Sequence, residues 1–335
     1  MAPIATGYKS NITNMKVLVF GKDGQLGKAF KALFAKRLVN SDAALQVQHV
    51  GRSECDLADS EAIKSLLEKN SPQLIINASA YTAVDKAESE VDLAYAVNAN
   101  APEVMALYAA KHGATFLHYS TDYVFDGEKY GFYLEDDIRN PLGIYGKSKA
   151  AGEKAIARAF SDSPAGQYAI FRTSWVYGDG GNFIRTILRL AKERDALNII
   201  ADQYGVPTSA EWLAQISLSL ALNSGNQLMT FPSGIYHAVP AGETTWHGLA
   251  SVVVEAALSN DVPLKVNSEA IKAIPASDYP LPAPRPSNSR MATDKLWAVL
   301  GRSDSYNDSD KNSGFPHWEG MVREYVQKLA ADKLI

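Results

Sequence analysis

Three regularly spaced glycines near the start of the chain separate two segments of different periodicity. Residues 17–20 are apolar and include two β-branched valines, which predicts a short buried strand. Residues 27–38 carry apolar side chains at helical spacing. The glycine loop GKDGQLG occupies residues 21–27, and its last glycine begins the second segment. A strand, a glycine loop and a helix in this order predict the opening of a βαβ unit, and therefore a parallel sheet covered by helices.

The same alternation continues through the first half of the chain. It predicts strands at residues 46–50, 74–77, 115–120 and 168–174, and helices at residues 60–69, 90–112 and 144–160. This pattern is typical of an α/β protein with a Rossmann-like, doubly wound parallel sheet. Beyond residue 174 the pattern is less regular, with predicted helices at residues 182–194 and 317–331, short strands at 197–200 and 234–239, a proline-rich loop at 275–286 and a polar loop at 302–314.

Composition excludes several classes of function. The formal net charge of -4 gives no basic footprint for nucleic acid. The single cysteine, Cys55, excludes an internal disulfide and fits a reducing compartment. The sequence contains no apolar run long enough to cross a membrane, and residues 1–14 lack the pattern of a signal peptide. We therefore expect a cytoplasmic protein that binds neither nucleic acid nor membranes.

The glycine loop suits a dinucleotide. Gly21, Gly24 and Gly27 permit a tight turn, so that backbone N–H groups at the start of the helix can approach a pyrophosphate. A plain strand-to-helix turn is the alternative, because a glycine triplet alone is a weak motif.

The end of the second predicted strand bears on the choice of cofactor. A carboxylate there would bind the ribose of NAD, but Arg52 and Ser53 occupy the position and suit the 2′-phosphate of NADP. We therefore predict NADPH, with NADH still possible, and the alternative is a solvated arginine. Asp56 is expected near the edge of the adenine and Leu57 against its face.

These observations predict three parts of the chain. Residues 1–14 form a flexible N-terminal extension, and residues 15–174 form an NADP-binding Rossmann domain. Residues 175–335 form mainly a smaller C-terminal substrate-binding domain, from which some segments return to the Rossmann domain.

A tyrosine and a lysine are the predicted catalytic pair. Tyr145 and Lys149 are spaced i and i+4, so they share one face of a predicted helix. A neighbouring ammonium favours the phenolate and is expected to lower the pKa of the phenol, which can then protonate a carbonyl oxygen as hydride arrives. Thr121 ends a strand where ligands bind in such sheets and can contact the same carbonyl, although Thr121 and Asp122 are also typical of a turn cap.

The histidines give no indication of a metal site. His118 lies inside a predicted strand and is interpreted as a satisfied core histidine, and His112, His237 and His247 lack the spacing of metal ligands. We expect no bound metal.

Longer stretches of the sequence resemble a known family. They are FGKDGQLG from residue 20, NASAYTAVDKAESE at 77–90, HYSTDYVFDG at 118–127, PLGIYGKSKAAGEKA at 141–155, FRTSWVYG at 171–178, DQYGVPT at 202–208, TTWHG at 244–248 and PAPRPSNSR at 282–290. This set resembles the dTDP-4-dehydrorhamnose reductases, which are extended short-chain dehydrogenases, over most of residues 15–300.

The resemblance implies an NADPH-dependent reduction of the C4 ketone of a dTDP-6-deoxy-4-ketohexose, giving dTDP-L-rhamnose. It implies a catalytic set of Thr121, Tyr145 and Lys149. The implied cofactor residues also include Gly24, Gln25, Leu26, Asp56, Leu57, Ala80, Tyr81 and Thr82. The implied neighbours of the sugar nucleotide are Asp85, Thr121, Asp122, Tyr123, Trp175, Arg285 and Asn288, and a guanidinium such as that of Arg285 suits a diphosphate.

One position departs from the family's pattern. Some members bind Mg²⁺ at a dimer interface through glutamates, one of which lies two residues after the last glycine of the loop. That position is Ala29 here, beside Lys28. If the chain forms a homodimer, we therefore do not expect that dimer to depend on metal.

Two other readings stay open. One is a different sugar-nucleotide reductase, dehydratase or epimerase on the same fold, although dehydratases generally carry Asp-Glu after the active-site threonine, where this chain has Asp122 and Tyr123. The other is a non-catalytic regulatory protein like the β subunit of methionine adenosyltransferase, which resembles the same family.

Overall fold

A computed structural model describes residues 15–39, 45–163, 165–301 and 314–335. The predicted extension at residues 1–14 lies outside the described residues. So does all but the last residue of the predicted polar loop at 302–314.

The described chain alternates strands and helices as predicted. The strands are β1 (Met15–Phe20), β2 (Leu45–Val50), β3 (Leu74–Asn77), β4 (Thr115–Thr121), β5 (Gln167–Thr173), β6 (Val176–Tyr177), β7 (Leu197–Ile200), β8 (Tyr204–Gly205), β9 (Thr208–Ser209), β10 (Gly234–His237), β11 (Thr244–Thr245) and β12 (Ile271–Ile274). The helices are α1 (Gln25–Val39), α2 (Ser60–Asn70), α3 (Val84–Ala87), α4 (Val91–Tyr95), α5 (Ala101–His112), α6 (Ile144–Asp162), α7 (Phe183–Glu193), α8 (Ala210–Ala221), α9 (Trp246–Leu258), α10 (Asp294–Leu300) and α11 (Trp318–Ala331).

The central sheet has six parallel strands in the order β2-β1-β3-β4-β5-β10. The direction of winding reverses between β1 and β3, and ligands bind at such a switch point, outside the carboxyl ends of the strands. The predicted α/β fold with a parallel, doubly wound sheet is confirmed.

Alternate residues of the strands pack against different helical layers, as the two-residue period of a strand requires. Val17 and Val19 of β1 contact the apolar cluster that contains residues of α1 and α8. Leu18 and Phe20 contact the cluster on the other face, which contains residues of α2, α5 and α6. Both faces of the sheet are therefore buried, which explains why its strands lack polar alternation.

The second half of the chain contributes to two places. Residues of α7, α9, α11, β7 and β12 form a separate apolar cluster beside the sheet. By contrast, β10 pairs with β5 at the edge of the main sheet, and α8 packs on α1.

One predicted helix differs from the observed structure. Residues 90–112 form α4, a π-helical turn at Ala96–Asn100 and α5, rather than one continuous helix. A π turn carries one extra residue and is frequent at functional sites. Here it brings Asn98 against the loop that follows β3, as described below.

Candidate active site

A cleft of about 700 Å³ lies at the carboxyl ends of the central strands. Its wall contains residues from the loops that follow β1, β2 and β3, from the end of β4, and from α6. This is the end of the sheet, and the switch point, at which the strand order predicts a ligand.

Close packing explains two glycines of the first loop. Gly21 has a φ of +90°, and a Cβ there would lie 2.8 Å from backbone atoms of Ala78 and Ser79. At Gly27 a Cβ would lie 1.9 Å from the carbonyl oxygen of Gly21. The loop therefore folds back on the start of α1, whose first turn holds no acidic residue. The N–H groups at the start of a helix favour an anion in the cleft.

Most predicted cofactor residues line this cleft. They are Gly21, Gly24, Gln25, Leu26, Arg52, Asp56, Leu57, Ala80, Tyr81, Thr82, Tyr145 and Lys149. Two others do not: Gly27 is buried under the loop, where it permits the close approach to Gly21, and Ser53 is exposed outside the cleft wall.

The tip of β2 contains a carboxylate that the sequence interpretation did not weigh. Glu54 accepts a hydrogen bond from Gly51 N at 2.8 Å and pairs with Lys22 of the glycine loop. These two contacts hold the pKa of Glu54 near 2. Glu54 is therefore ionised and already engaged by protein groups, while Arg52 lines the cleft with its side chain 81% exposed.

Tyr145 and Lys149 lie one turn apart at the start of α6 and both line the cleft. The expected lowering of the tyrosine pKa is wrong for this structure. Burial, together with the charge of Asp122, raises the pKa of Tyr145 to about 12, and a hydrogen bond with Thr121 opposes this shift only in part. The phenol is therefore protonated at neutral pH and is a proton donor.

Thr121 ends β4 beside this phenol. Its hydroxyl donates to Asp122 Oδ1 at 2.7 Å and accepts from Tyr123 N at 3.2 Å, as in a turn cap. Thr121 therefore caps the turn and also lies beside Tyr145. Asp122 is buried, and this burial raises its pKa to about 6.

The amino group of Lys149 is held by two groups that the sequence did not reveal. Lys149 Nζ donates to the carbonyl oxygen of Tyr119 at 2.6 Å and lies 3.3 Å from His118 Nε2. Burial lowers the pKa of Lys149 to about 8. His118 is a buried core histidine, as interpreted, but the interpretation missed its contact with Lys149.

Asn98 joins two walls of the cleft. Its amide exchanges hydrogen bonds with Tyr81 N and O at 2.9 and 3.0 Å, and its Nδ2 also contacts Ser148 Oγ at 3.0 Å. The π turn thus fixes the loop after β3 against the helix that carries Lys149. No sequence motif indicated this role, because a π turn has no distinct pattern of apolar residues.

The predicted substrate residues divide into several groups. Asp85 and Arg285 form a two-pronged ion pair at 2.7 and 2.9 Å, which ties the proline-rich loop to α3. Trp175 has a φ of +46° and stacks on Trp246 at 3.7 Å between ring centres. Tyr123 packs edge-on against Tyr145 at 5.4 Å.

The last predicted substrate residue, Asn288, has its amide engaged by the protein. Its Nδ2 donates to Lys129 O and Gly131 O, and its Oδ1 accepts from Arg290 N and Nε. The structure therefore gives Asn288 a role in holding the loop at residues 129–131.

Two negative findings concern the described residues only. Within them no group of three or more His, Cys, Asp or Glu side chains is arranged to hold a metal ion. None of the helices in this part of the chain combines the length and apolar character needed to cross a bilayer.

Comparison with known proteins gives a consistent result. The family model described as RmlD substrate binding domain matches residues 15–312. The dTDP-4-dehydrorhamnose reductase of Salmonella typhimurium is 43% identical over 287 residues, which cover 84% of this chain and 91% of that protein. A crystal structure of such a reductase from Clostridium acetobutylicum has a TM-score of 0.78 and 30% identity, covering 94% of this chain and 99% of that one. A Bacillus anthracis enzyme of the same name, in complex with NADP, has a TM-score of 0.78 and 28% identity over the same shares.

Proposed function

Because this chain belongs to the RmlD family, that of the dTDP-4-dehydrorhamnose reductases, we propose that it reduces the C4 ketone of dTDP-4-dehydro-6-deoxy-L-mannose with NADPH. The product is dTDP-L-rhamnose, a precursor of cell-envelope polysaccharide. The observation that carries the proposal is the placement of Tyr145 and Lys149 in the cleft, beside Thr121 and across from the glycine loop.

The cleft fits NADP(H), which supplies the hydride when bound. The absence of a Cβ at Gly21 lets the glycine loop pack against the backbone of Ala78 and Ser79, and the N–H groups at the start of α1 would bind the pyrophosphate. Arg52, which lines the cleft, would face the 2′-phosphate, and Asp56 and Leu57 would face the adenine, whereas Ser53 lies outside the cleft wall. Ala80, Tyr81 and Thr82 form the wall that Asn98 holds in place.

The side chains divide the acid–base work. The phenol of Tyr145 donates its proton to the C4 oxygen as negative charge develops there. The hydroxyl of Thr121 would turn away from Asp122 Oδ1 to donate a hydrogen bond to the same oxygen. The ammonium of Lys149, one turn further along α6, stabilises the phenolate that remains. Burial and the charge of Asp122 act in the opposite direction and disfavour this phenolate.

The sugar nucleotide would bind next to Tyr145, beyond the cleft wall described above, which includes none of the predicted substrate residues. Asp122, Tyr123 and Trp175 contact the sugar, and Asp85 and Arg285 lie toward the diphosphate. In this assignment residues 15–174 bind mainly the cofactor, and residues 175–335 mainly the substrate. We place the enzyme in the cytoplasm, where nucleotide sugars are made, and as a monomer or a homodimer that needs no metal.

The test is NADPH oxidation, followed at 340 nm, with the purified chain and the dTDP-ketosugar. Formation of dTDP-L-rhamnose at the rate of NADPH loss supports the proposal. Binding of NADPH without turnover would favour a regulatory protein instead. Release of an epimerised or dehydrated sugar without net oxidation would favour the other sugar-nucleotide enzymes.

A further inference from the structure

The side chain of His118 lies beneath the cleft, between Asn77 and Lys149. Asn77 Nδ2 is 3.1 Å from His118 Nδ1, and Lys149 Nζ is 3.3 Å from His118 Nε2. His118 and Asn77 are wholly buried, and Lys149 is 1% exposed. Both imidazole nitrogens therefore depend on these two protein partners for hydrogen bonds.

The amide of Asn77 has a fixed direction. Its Oδ1 accepts from Ser79 N at 3.2 Å and from Ser79 Oγ at 2.5 Å. A backbone N–H needs an acceptor, so the amide oxygen faces Ser79 and the NH₂ group faces His118.

With the amide of Asn77 in this direction, a neutral His118 cannot match both Asn77 and an ammonium on Lys149 as donor and acceptor. A neutral imidazole has one N–H and one lone pair. If Nδ1 accepts from Asn77, Nε2 carries the hydrogen, and Lys149 can accept it only as a neutral amine. If Lys149 is an ammonium, Nε2 must accept, and the hydrogen on Nδ1 meets the NH₂ of Asn77. Protonating the imidazole would not help, and burial together with the nearby Lys149 lowers the pKa of His118 well below its usual value.

We propose that His118 is a positioning residue of the active site, whose imidazole, with the carbonyl of Tyr119, directs the amino group of Lys149 toward the cleft and changes tautomer with the protonation of that group. This inference rests on the proposed reductase function for its role in turnover. Its structural part, the coupling of His118 to Lys149, stands apart from the identity of the substrate.

The other charged groups near Lys149 leave room for His118 to influence the protonation of its amino group. On α6, Tyr145 is a neutral phenol at neutral pH, and Glu153 favours the ammonium. Glu153 is itself paired with Arg172 of β5, at 2.7 Å, and with Arg139, at 3.1 Å. Neither β3 nor the π turn brings an ionisable side chain to Lys149: β3 contributes Asn77, and residues 96–100 read AVNAN.

The experiment compares His118→Gln and His118→Phe with a matched control, His237→Gln. His237 is a second wholly buried strand histidine, but it contacts Ala292 O and not Lys149. Glutamine can accept from an ammonium through its carbonyl oxygen, whereas phenylalanine cannot accept at all. The kcat is measured from pH 6 to 10, NADPH affinity by fluorescence, and folding by circular dichroism and thermal unfolding.

We expect His118→Phe to lower kcat by roughly tenfold or more, within the range of coupled buried groups. His118→Gln should recover part of this loss and move the alkaline limb of the kcat profile to higher pH, because it stabilises the ammonium. His237→Gln should leave that limb in place. An unmoved limb in His118→Gln, with kcat near that of the wild type in both variants, overturns the proposal.

Two further measurements separate this idea from the proposed function and from a loss of folding. Any effect of His118→Gln on NADPH affinity in the wild-type background should disappear in a Lys149→Met background. An effect of the same size in both backgrounds would show that His118 acts on the fold alone. In the wild type, ¹⁵N NMR of the imidazole should show a change of tautomer as Lys149 titrates. A single tautomer throughout that titration contradicts the inference, even if no His118 variant folds or no ketosugar is reduced.

Discussion

The phenol of Tyr145 keeps its proton throughout the physiological range, since burial and the charge of Asp122 raise its pKa to about 12. A group in this state is a proton donor and a poor base, which agrees with the direction of ketone reduction. The hydrogen bond with Thr121 opposes this shift in part, and Lys149 is the one side chain of the proposed catalytic set that carries positive charge.

Removing the phenolic oxygen should therefore affect chemistry more than binding. We expect Tyr145→Phe to lower kcat by roughly 10²- to 10⁴-fold, the usual contribution of a positioned acid. NADPH affinity should stay within about twofold, because the ring remains in the cleft wall and a change of twofold is only about 0.4 kcal/mol. The control is Tyr168→Phe at the other end of β5, which lies outside the cleft wall. Near-normal turnover in Tyr145→Phe would remove this residue from the mechanism.

Cofactor preference is the second property set by single residues. We expect Arg52→Ala to raise the KM for NADPH by about tenfold and to leave that for NADH unchanged, because one charge-assisted hydrogen bond to the 2′-phosphate is lost. Steady-state kinetics with both cofactors measure this, and exposed Arg194→Ala is the matched control. A wild type that favours NADH, or a variant that keeps its preference for NADPH, would contradict this reading of the β2 tip.

At the scale of elements, the junction of the glycine loop and α1 has little space to spare. A Cβ at Gly27 would meet the backbone carbonyl of Gly21, which cannot rotate away as a side chain can. We expect Gly27→Ala to lower the free energy of unfolding by roughly 1–3 kcal/mol, as overpacking does, and to weaken NADPH binding.

Denaturant unfolding and NADPH titration test this prediction. Gly320→Ala in α11 is the matched control, because nothing lies within 4 Å of the added Cβ. That control should gain up to roughly 1 kcal/mol from helix propensity. Equal stability of the two variants would show that the loop moves aside freely.

Much of the element order could be predicted because the signals are local. Strands of the central sheet are buried on both faces and appear as short apolar runs, and the glycine loop marks the first switch from strand to helix. Two features could not be predicted. The π turn at residues 96–100 disturbs helical spacing by only one residue, and nothing local to residues 234–237 indicates that they pair with β5.

The candidate site divides along the same line. Tyr145, Lys149 and the glycines belong to motifs that are continuous in sequence, so their shared location follows from strand order. His118 illustrates what a motif omits. It shares the α6-facing side of β4 with Phe116, and its contact with Lys149 crosses 31 positions of sequence. The alternation of β4 gives its direction, but only the packed structure gives its partner.

At the scale of the whole molecule, the proposed assembly should not depend on divalent metal. Ala29 occupies the position that carries a glutamate in some members of the family, and the neighbouring Lys28 pairs with Asp179 at 3.3 Å. Glu193, an acidic residue that could still attract an ion, pairs with Arg189 at 2.9 Å. A cation such as Mg²⁺ needs carboxylate oxygens that are free to bind it.

We therefore expect EDTA to change neither the sedimentation coefficient nor the rate of NADPH oxidation. Both are measured before and after chelation, and again after Mg²⁺ is restored. A dimer that dissociates in EDTA and re-forms with Mg²⁺ would show that other carboxylates take the place of the missing one.

The position of the edge strand β10 in the sequence also determines when the central sheet can be completed during synthesis. β5 ends at Thr173, but its neighbour begins only at Gly234, after α7 and α8 have been synthesised. Until then a nascent chain presents the unpaired edge of a long apolar strand, the kind of surface through which partly made proteins associate. The two halves of the sequence are thus poor candidates for separate expression. A fragment that stops before residue 234 carries the whole glycine loop and both proposed catalytic groups on α6, yet leaves its sheet open to other chains.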